Sequence, residues 1–540
     1  MRSSKQTTFV FPLLVLLIGL GLSIAIPAGT FGGSNDGIPV TDADFQDRDV
    51  AKEELGKLLF FDKVLSGNRN MSCATCHHPY MATGDALSLP VGEGGMGLGR
   101  ARNTGLGSNA VHERVPRNSP ALFNLGANEF VVMFHDGRVM MEANQPSGFL
   151  TPAGRDLPAG LDSALAAQAM FPVTSGTEMA GQPGENSIAD VTSKGNLSGP
   201  NGVWEQLAER LQSIDEYVQL FSEAFADIQS AEEITYVHAA NAIAAYEAEA
   251  FRCTSSPFDR HLNGDPFALT EIQLSGKDLF YGKAGCVNCH SGKFQTDHNF
   301  HAIGVPQIGP GKGDNLPGYS DGHDDFGRER VTGSMEDRFR FRTPTLRQVT
   351  LTGPWGHDGA YEDLERMVRH HLNPNQSLAQ YDAFLINMPS RADLNSLDFI
   401  AHNDPARRQA IADAIELMPT DLDELELEQL MAFLSSLTDM SCLDYAQQIP
   451  VRVPSGLPLC ELGCTDFDPD LPVAQAIARM IPNDPENDPD ADHYIGDLEI
   501  KEALQLWISG AGVPRTGGKT IDDTTMLALV TIWANQTVMP

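Results

Sequence analysis

The spacing of hydrophobic residues along this chain predicts a mainly α-helical protein with long loops between its helices. Apolar residues repeat at helical intervals over residues 50–65, and an alanine-rich stretch without glycine or proline covers residues 204–252. Another helix is predicted to begin over residues 274–280, while alternating strand patterns are weak throughout. The chain also holds 50 glycines and 34 prolines, which indicate many ordered turns. A chain with this many loops needs a source of stability besides a large hydrophobic core.

The N-terminus indicates export. Arg2 and Lys5 precede a continuous apolar run over residues 9–26, and small residues follow at positions 27–29. This order predicts a signal peptide over residues 1–28. A retained membrane anchor is the alternative, because the run lies at the lower limit of length for a spanning helix. In either case the folded body is expected in the periplasm or outside the cell.

The charge of the chain excludes one class of partner. There are 37 Lys and Arg residues against 72 Asp and Glu residues, so the formal net charge is −35. A general nucleic-acid-binding protein needs a basic surface. We therefore expect no nucleic-acid partner.

Two Cys-x-x-Cys-His pentads carry the clearest chemistry in the sequence. Their members are Cys73, Cys76, His77, Cys286, Cys289 and His290. In such a pentad the two thiols can each form a thioether with a haem vinyl group, while the following histidine ligates the iron. Redox-active or zinc-binding cysteine pairs are the competing interpretation, but a histidine directly after both pairs in an exported protein favours haem. The sequence thus predicts two covalently bound haem c groups.

Around the pentads the chain resembles the bacterial di-haem cytochrome c peroxidase and MauG-like family. The matching segments are residues 55–66, 117–120, 135–138, 178–179, 343–347, 351–354 and 357–359. They occur in order between about residue 50 and about residue 440. The resemblance implies two cytochrome c-like domains, with a peroxidatic haem in the first and an electron reservoir in the second.

These observations divide the chain into five predicted parts. They are the signal segment 1–28, an N-terminal haem domain 41–255, a C-terminal haem domain 256–441, a cysteine-containing linker 442–464 and an acidic extension 465–540.

The distal ligand of the second iron can be tested against helical periodicity. A helix is predicted from residue 361 to residue 372, and His371 falls on its apolar stripe, whereas His370 falls on the face expected to be solvated. The family carries Met or Tyr at the position that matches His371. We therefore predict a bis-histidine haem ligated by His290 and His371. The alternative is that His371 is a buried, hydrogen-bonded histidine without a ligand role.

The peroxidatic haem needs a group that moves a proton between the two oxygen atoms of peroxide. The resemblance assigns this role to Glu178, with Gln168 ten residues earlier as in the family pattern. Such a carboxylate is expected to be partly desolvated, with a raised pKa. Outside the resemblance, a surface charge would be the ordinary interpretation of a single glutamate.

The chain departs from the family at two places. Classical members carry a histidine in the loop after the first pentad that must leave before peroxide binds, but residues 89–99 contain none. We therefore predict an open site, although Met96 or the more distant His112 could move in. Many members also carry tryptophan where this chain has His135. An imidazole is harder to oxidise than an indole, so His135 is either a relay between the haems or a hydrogen-bonding support.

The resemblance further implies a calcium ion between the haems. Its expected ligands are Asn118 and the backbone carbonyls of Thr352 and Pro354, since oxygen ligands suit calcium. Arg347 and His357 are expected to bind haem propionates through charge-assisted hydrogen bonds.

Four cysteines lie outside the pentads, and in an oxidising compartment they allow three pairings. We favour Cys460 with Cys464 and Cys253 with Cys442. The second pair would tie the long helical segment to the end of the second haem domain.

The acidic extension contains an internal repeat in which residues 495–507 align with residues 521–533. The sequence before and within the first copy is similar to an EF-hand or dockerin-type calcium loop, with Asp488, Asp490, Asp492 and Glu499 as ligands. His493 stands where the loop normally has glycine, so a solvated acidic linker is the alternative. A helical module for attachment or partner binding is predicted here.

The leading function is an exported di-haem peroxidase that reduces hydrogen peroxide with electrons from a small redox protein such as a cytochrome c. The alternatives are a MauG-like oxidase that modifies a protein or an organic substrate, and a non-enzymatic electron carrier. A homodimer and a partner at the extension are left open.

Overall fold

The computed structural model describes residues 37–383 and 386–459, together with Ala503, Ile521 and Met526. Several predictions therefore lie outside the described residues: the signal segment 1–28, the pair Cys460–Cys464, and the calcium loop of Asp488, Asp490, Asp492 and Glu499. Within the described ranges 37–383 and 386–459, no helix has the length and apolar character needed to cross a membrane.

The described part is mainly helical, which confirms the predicted fold class. Its α-helices are α1 (Val50–Phe61), α2 (Cys73–Cys76), α3 (Ala164–Ala169), α4 (Ser187–Thr192), α5 (Val203–Gln212), α6 (Asp215–Ala224), α7 (Tyr236–Ala250), α8 (Pro257–Leu262), α9 (Glu271–Tyr281), α10 (Glu329–Thr332), α11 (Leu364–Leu372), α12 (Pro374–Ala379), α13 (Ala392–Asn395), α14 (Ile400–Asn403), α15 (Pro405–Asp413), α16 (Glu424–Ser435) and α17 (Tyr445–Gln448).

The strands are short, as the weak strand patterns indicated. They are β1 (Val132–Met133), β2 (Val139–Met141), β3 (Phe149–Leu150), β4 (Phe300–His301) and β5 (Phe341–Arg342). The first three form an antiparallel sheet in the order β1-β2-β3, with Met133 opposite Val139, and β4 pairs antiparallel with β5.

The helix before the first pentad crosses α7 at a glycine. A Cβ atom on Gly56 would lie 1.8 Å from the carbonyl oxygen of Ala242, so only glycine allows α1 and α7 to approach this closely. Helix α1 ends at Phe61 because the Asp62 side chain accepts a hydrogen bond from the Val64 amide and starts a separate short turn. The predicted helix over residues 50–65 was therefore right in place but too long.

The second pentad is preceded by the same kind of contact. A Cβ atom on Gly276 of α9 would lie 1.8 Å from the carbonyl oxygen of Gln429 in α16. Both glycines are followed by lysine, and both crossing helices present an aromatic residue to the glycine, Tyr246 in α7 and Phe433 in α16. Each pentad thus follows a helix packed tightly against a later helix.

The prediction of continuous helix over residues 204–252 is wrong in detail. The stretch contains α5, α6 and α7, with breaks after Gln212 and Ala224. Each helix buries its own apolar stripe against the core around α1, and the chain must turn between them to do so.

The largest hydrophobic core surrounds α1, α3, α5 and α7, and a smaller one lies between α9 and α16. The segment over residues 440–459 packs against the first core. Its Gln448 carbonyl accepts a hydrogen bond from the Tyr246 hydroxyl at 2.8 Å, and its Ser455 hydroxyl donates to Asp62 at 2.6 Å. Ala503, Ile521 and Met526 are buried in the same core. The predicted domain bounds at residues 255 and 441 stay a prediction.

A disulfide joins Cys253 to Cys442, which confirms that pairing. The Gln348 side-chain amide lies between the two sulfur atoms and the carbonyl oxygen of Asp439, to which it donates at 2.7 Å. The disulfide therefore fixes the start of the 440–459 segment to the end of α7.

Replacing both Cys253 and Cys442 with alanine is expected to lower the free energy of unfolding by about 2–4 kcal/mol, because the bond closes a very long loop in the unfolded chain. The sequence separation of the two cysteines is 189 residues. Denaturation of the purified protein in guanidinium chloride measures the change. Equal midpoints for the variant and the natural chain would contradict the prediction.

Candidate functional site

The first pentad presents its histidine with one ring nitrogen fixed. Cys73–Cys76 form the single turn of α2, and His77 follows as its C-terminal cap. The Nδ1–H group of His77 donates to the carbonyl oxygen of Thr83 at 3.0 Å. Nε2 therefore carries the lone pair, which is the form of imidazole that binds a metal. Near it, the Ser119 hydroxyl lies 3.5 Å from Nε2 and donates to the Cys76 carbonyl.

The second pentad presents His290 in the same way, and His371 faces it. Nδ1–H of His290 donates to the Gln295 carbonyl at 3.0 Å, and Nδ1–H of His371 donates to the Met367 carbonyl at 2.8 Å. The two ring centroids lie 6.2 Å apart. Two imidazoles that bind one metal ion through nitrogen bonds of about 2 Å place their centroids roughly 6 Å apart. This spacing fits an iron between His290 and His371.

The neighbouring His370 corrects one prediction. It was expected on a solvated face, but its side chain is completely buried. Its Nε2–H donates to the Ile303 carbonyl at 2.8 Å, and its Nδ1 accepts from the Tyr361 hydroxyl at 2.8 Å. A loop and a tyrosine outside the helix cover this face, and helical periodicity contains no information about them.

Helix α11 is also shorter than predicted. It begins at Leu364, because the Asp363 side chain accepts the Arg366 amide and caps the first turn. It ends before Pro374, as expected from the proline.

Glu178 lies in a turn of π-helix over Gly176–Ala180 that is held from two sides. The Gly67 amide donates to the Met179 carbonyl at 2.7 Å, and the Glu93 amide donates to the Thr177 carbonyl at 3.1 Å. A Cβ atom on Gly92 would lie 1.9 Å from the Thr177 oxygen. The turn is therefore fixed to the segment before the first pentad and to the loop after it.

The Glu178 side chain is half-buried and lies in a cationic environment. Burial raises the pKa of Glu178 above its ordinary value, and the positive charges of Arg138 and Lys312 oppose this rise. Burial, together with Arg117 and Arg138, lowers the pKa of Lys312 to about 8. A carboxylate with a raised pKa beside cations suits a group that accepts a proton and returns it.

Gln168 lies half-buried near the C-terminal end of α3, and no hydrogen bond joins it to Glu178 among the described residues.

The loop 89–99 wraps around the buried Arg102, whose guanidinium donates to the carbonyls of Val91, Gly92 and Gly97. His112 is about half exposed and lies 3.9 Å from Glu185.

His135 lies between the loops that follow the two pentads. Its Nε2–H donates to the Asn118 carbonyl at 3.2 Å, next to Ser119 at the first pentad. Its own carbonyl accepts from the Arg342 amide at 2.8 Å. Burial lowers the pKa of His135 to about 3, so the ring is neutral. This position is compatible with both roles considered for His135.

His357 and Arg347 differ in what they leave available for a propionate. The His357 ring stacks on Phe341 with centroids 3.6 Å apart, and its buried Nδ1 has no partner among the described residues. By contrast, the Arg347 guanidinium is paired with Asp259 at 2.7 Å and also donates to the Lys293 carbonyl. The unpaired nitrogen of His357 fits a propionate, while the same role for Arg347 stays a prediction.

The sequence reasoning did not identify Arg342. Its side chain donates only to the carbonyls of Phe134 and Thr343, and no carboxylate within the described residues pairs with it. Burial lowers the pKa of Arg342 to about 10. A half-buried cation without a counter-charge among the described residues fits the carboxylates of a haem. In the sequence, the only signal for this role of Arg342 is its position directly before the segment that begins at Thr343.

A second feature missed from the sequence is the ion-pair cluster of Arg117. This buried guanidinium lies 2.7 Å from Asp136 and 2.6 Å from Asp325. Burial alone would raise the pKa of Asp325, but the charge of Arg117 lowers it to about 2. Asp325 is 208 residues from Arg117, so the pair could not be found by local spacing.

Replacing Arg117 with leucine is expected to lower the free energy of unfolding by about 3–5 kcal/mol at neutral pH, because Asp325 is left buried without a cation and Asp136 keeps only Arg138. Urea denaturation measures the loss. Arg155 is exposed, and Arg155→Leu as a control should change stability by less than about 0.5 kcal/mol. A similar small change for Arg117→Leu would contradict the prediction.

The expected calcium ligands lie on neighbouring segments. The backbone amide of Asn118 donates to the carbonyl of His357 at 3.1 Å. His357 follows Pro354 by three residues. The Thr352 hydroxyl donates to the Val349 carbonyl at 3.4 Å. Calcium binding by Asn118, Thr352 and Pro354 stays a prediction.

None of the four pentad cysteines takes part in a disulfide, so their sulfur atoms are available for thioether bonds. Together with the spare Nε2 atoms of three histidines, the unpaired His357 nitrogen and the Arg342 cation, they provide the donor set that two haem c groups need.

The family model and the sequence relatives that match this chain agree with this chemistry. The family model described as di-haem cytochrome c peroxidase matches residues 50–266. The methylamine utilization protein MauG of Methylorubrum extorquens is 31% identical over 321 residues, which cover 59% of this chain and 68% of that protein. The cytochrome c551 peroxidase of Pseudomonas aeruginosa is 31% identical over 320 residues, with 59% and 70% coverage. The crystal structure of the dihaem peroxidase BthA from Burkholderia thailandensis shares 21% identity and a TM-score of 0.46, covering 73% of this chain and 87% of that one.

Proposed function

Because this chain belongs to the di-haem cytochrome c peroxidase and MauG family, whose members are oxidoreductases with two c-type haems, we propose that it reduces hydrogen peroxide to water at the first haem. A small redox protein would supply the electrons through the second haem.

The observation that carries the proposal is the difference between the two pentad histidines. His290 faces a second imidazole at 6.2 Å, whereas none of the ring pairs within the described residues includes His77. An iron with two imidazole ligands stores and passes electrons, and an iron with one protein ligand leaves a position for peroxide. Glu178 lies in the turn that is hydrogen-bonded to Gly67. Gly67 precedes Cys73 of the first pentad by six residues.

Side chains of the protein transfer the proton between the two oxygen atoms of peroxide. When bound, the haem supplies the iron that binds peroxide and takes up its oxidising equivalents. The Glu178 carboxylate accepts a proton from one oxygen atom of peroxide and returns it to the other, which leaves as water. Arg138 and Lys312 keep the charge of this carboxylate balanced between transfers. Two electrons and two further protons complete the conversion of one peroxide to two waters.

The proposal includes export and a basic electron donor. A chain with a net charge of −35 attracts a basic partner by electrostatic steering. The run over residues 9–26 would direct it out of the cytoplasm. We also include calcium at Asn118, Thr352 and Pro354, which would tie together the loops near both haems.

Steady-state turnover of the holoprotein with hydrogen peroxide and reduced cytochrome c tests the proposal. Rapid oxidation of the cytochrome, together with an EPR spectrum that contains one high-spin and one low-spin haem, is the expected result. Two low-spin haems at rest would contradict the proposal and favour a non-enzymatic electron carrier.

The rate of the peroxide reaction should depend on the protonation of Glu178. Burial raises the pKa of this carboxyl above its ordinary value, and the protonated form cannot accept a proton. The second-order rate constant is therefore expected to fall as the pH decreases through the raised pKa and to level off above it. Stopped-flow absorption between acid and neutral pH measures the profile, and a flat profile would contradict this role.

MauG-like oxidation of a protein or an organic substrate is the second candidate function. It is favoured because the chain shares the same 31% identity with a MauG as with a peroxidase. The two functions separate in the test above, since stable accumulation of an oxidised state without oxidation of cytochrome c would support the MauG-like role.

A further inference from the structure

A group of tyrosine and histidine side chains lies beside the predicted second haem and has no part in the chemistry described so far. We call it the tyrosine cluster. Its members are Tyr361, His370, Ser377, Tyr381 and His402.

The hydrogen bonds of the cluster define which atom donates. Nε2–H of His370 donates to the Ile303 carbonyl at 2.8 Å, so Nδ1 of the same ring is an acceptor. The Tyr361 hydroxyl therefore donates to His370 Nδ1 at 2.8 Å. Ser377 lies 3.0 Å from the Tyr361 oxygen and can only donate to it. The result is a buried phenol whose proton points directly at a neutral imidazole.

The cluster also connects the second haem site with the surface. His370 is the neighbour of His371 in α11, and their ring centroids lie 6.2 Å apart. On the other side, the ring of Tyr361 lies 5.6 Å from that of Tyr381, which lies 5.2 Å from His402. Tyr361 is 5% exposed, whereas Tyr381 is only half-buried. The rings thus form a continuous series from the His371 side to Tyr381, which is partly exposed, while His402 beyond it is buried.

This arrangement is what oxidation of a buried tyrosine requires. A phenol that loses an electron becomes a strong acid, and a charged radical is costly in a buried site. An acceptor that already holds the hydrogen bond removes that cost, because the proton moves by a short distance as the electron leaves.

We propose that Tyr361 is a redox-active residue of the second haem and part of the route by which electrons enter from the surface. When the oxidising equivalents of hydrogen peroxide reach the second haem, Tyr361 supplies one electron to it. The phenolic O–H bond breaks, and the proton forms an N–H bond at His370 Nδ1. The products are a neutral tyrosyl radical and an imidazolium. An electron from outside, passed by way of Tyr381, restores the phenol as the proton returns.

The oxidising equivalents come from hydrogen peroxide, so this inference rests on the proposed function and extends it to the path of the electrons. The competing explanation is that the bond between Tyr361 and His370 serves only to hold α11 in place.

The test is EPR of the full holoprotein, frozen shortly after it is mixed with hydrogen peroxide in the absence of an electron donor. A tyrosyl radical is expected, and ring-deuterated tyrosine should narrow its signal. Tyr361→Phe should lose most of this signal. The matched control Tyr319→Phe should keep it, since Tyr319 binds Asp404 outside the cluster. Tyr381→Phe should keep the Tyr361 radical but slow its reduction by an added donor.

The absorption spectrum of the same samples separates failure of the inference from failure of the proposed function. Trp355 forms a backbone bridge with Tyr361 and is the neighbouring oxidisable ring. If the haems are oxidised but no tyrosyl radical forms, if the radical lies on Trp355, or if it survives in Tyr361→Phe, the inference is overturned. If peroxide leaves the haem spectrum unchanged, the proposed function has failed. The EPR series is then repeated with hexachloroiridate(IV), a one-electron oxidant that needs no peroxide site. A radical that depends on Tyr361 supports the inference in that case as well, and its absence overturns it.

Discussion

Replacing Glu178 with glutamine is expected to lower kcat for peroxide reduction by about 10²- to 10⁴-fold, the usual contribution of a positioned acid–base group. Glutamine has nearly the same shape and can keep the turn between Gly67 and Gly92, but it cannot accept and return a proton. Stopped-flow measurement of the peroxide reaction and steady-state turnover both report the loss.

The control for this variant is Glu223→Gln, because Glu223 is an exposed glutamate on α6. It should retain full activity. Circular dichroism and haem content of the Glu178 variant should match those of the natural chain, since the glutamine amide oxygen can still accept the hydrogen bond from Ser175. A Glu178→Gln protein that turns over peroxide at the normal rate would exclude the carboxylate from the reaction.

The second large effect is expected from His371. Replacing it with methionine should raise the reduction potential of the second haem by on the order of 0.1 V, since methionine ligation favours the reduced iron and axial ligands set haem potentials over about 0.8 V. Potentiometric titration measures the shift. A haem that is harder to oxidise should also release its electron more slowly, which lowers the turnover rate with cytochrome c.

A ligand role for His371 can be separated from a structural one by rescue. His371→Gly should convert the second haem to a high-spin form, and added imidazole should restore the low-spin spectrum. His238→Met, at a histidine that lies 3.3 Å from Asp227 and has no predicted haem role, is the control and should leave both haems unchanged. A low-spin second haem that persists in His371→Gly would show that another group occupies this position.

Local spacing was enough to predict the features that depend on neighbouring residues. The pentads, the helices before them and the boundary at Pro374 follow from patterns of a few residues. The pairing of Cys253 with Cys442 was favoured among three alternatives because it would tie the long helical segment to the end of the second haem domain.

Features that depend on distant segments could not be predicted in this way. His370 lies on the polar side of α11 by sequence, yet Ile303 and Tyr361 enclose it from other parts of the chain. Arg117 and Asp325 form one buried cluster across 208 positions. Arg342 is distinguished only by the lack of a carboxylate partner within the part of the chain that the structure describes. Each of these features depends on tertiary contacts, and the local spacing of residues in a single sequence does not reveal them.

The two glycine-mediated helix crossings have a consequence for the origin of this protein. Gly56 with α7 and Gly276 with α16 repeat one architectural solution, down to the lysine after each glycine and the aromatic residue opposite it. Such a repetition is what duplication of an ancestral single-haem unit would leave behind. The features to which the proposed function assigns different roles lie outside these crossings, in a clamped turn with a glutamate near the first pentad and a histidine-bearing helix near the second.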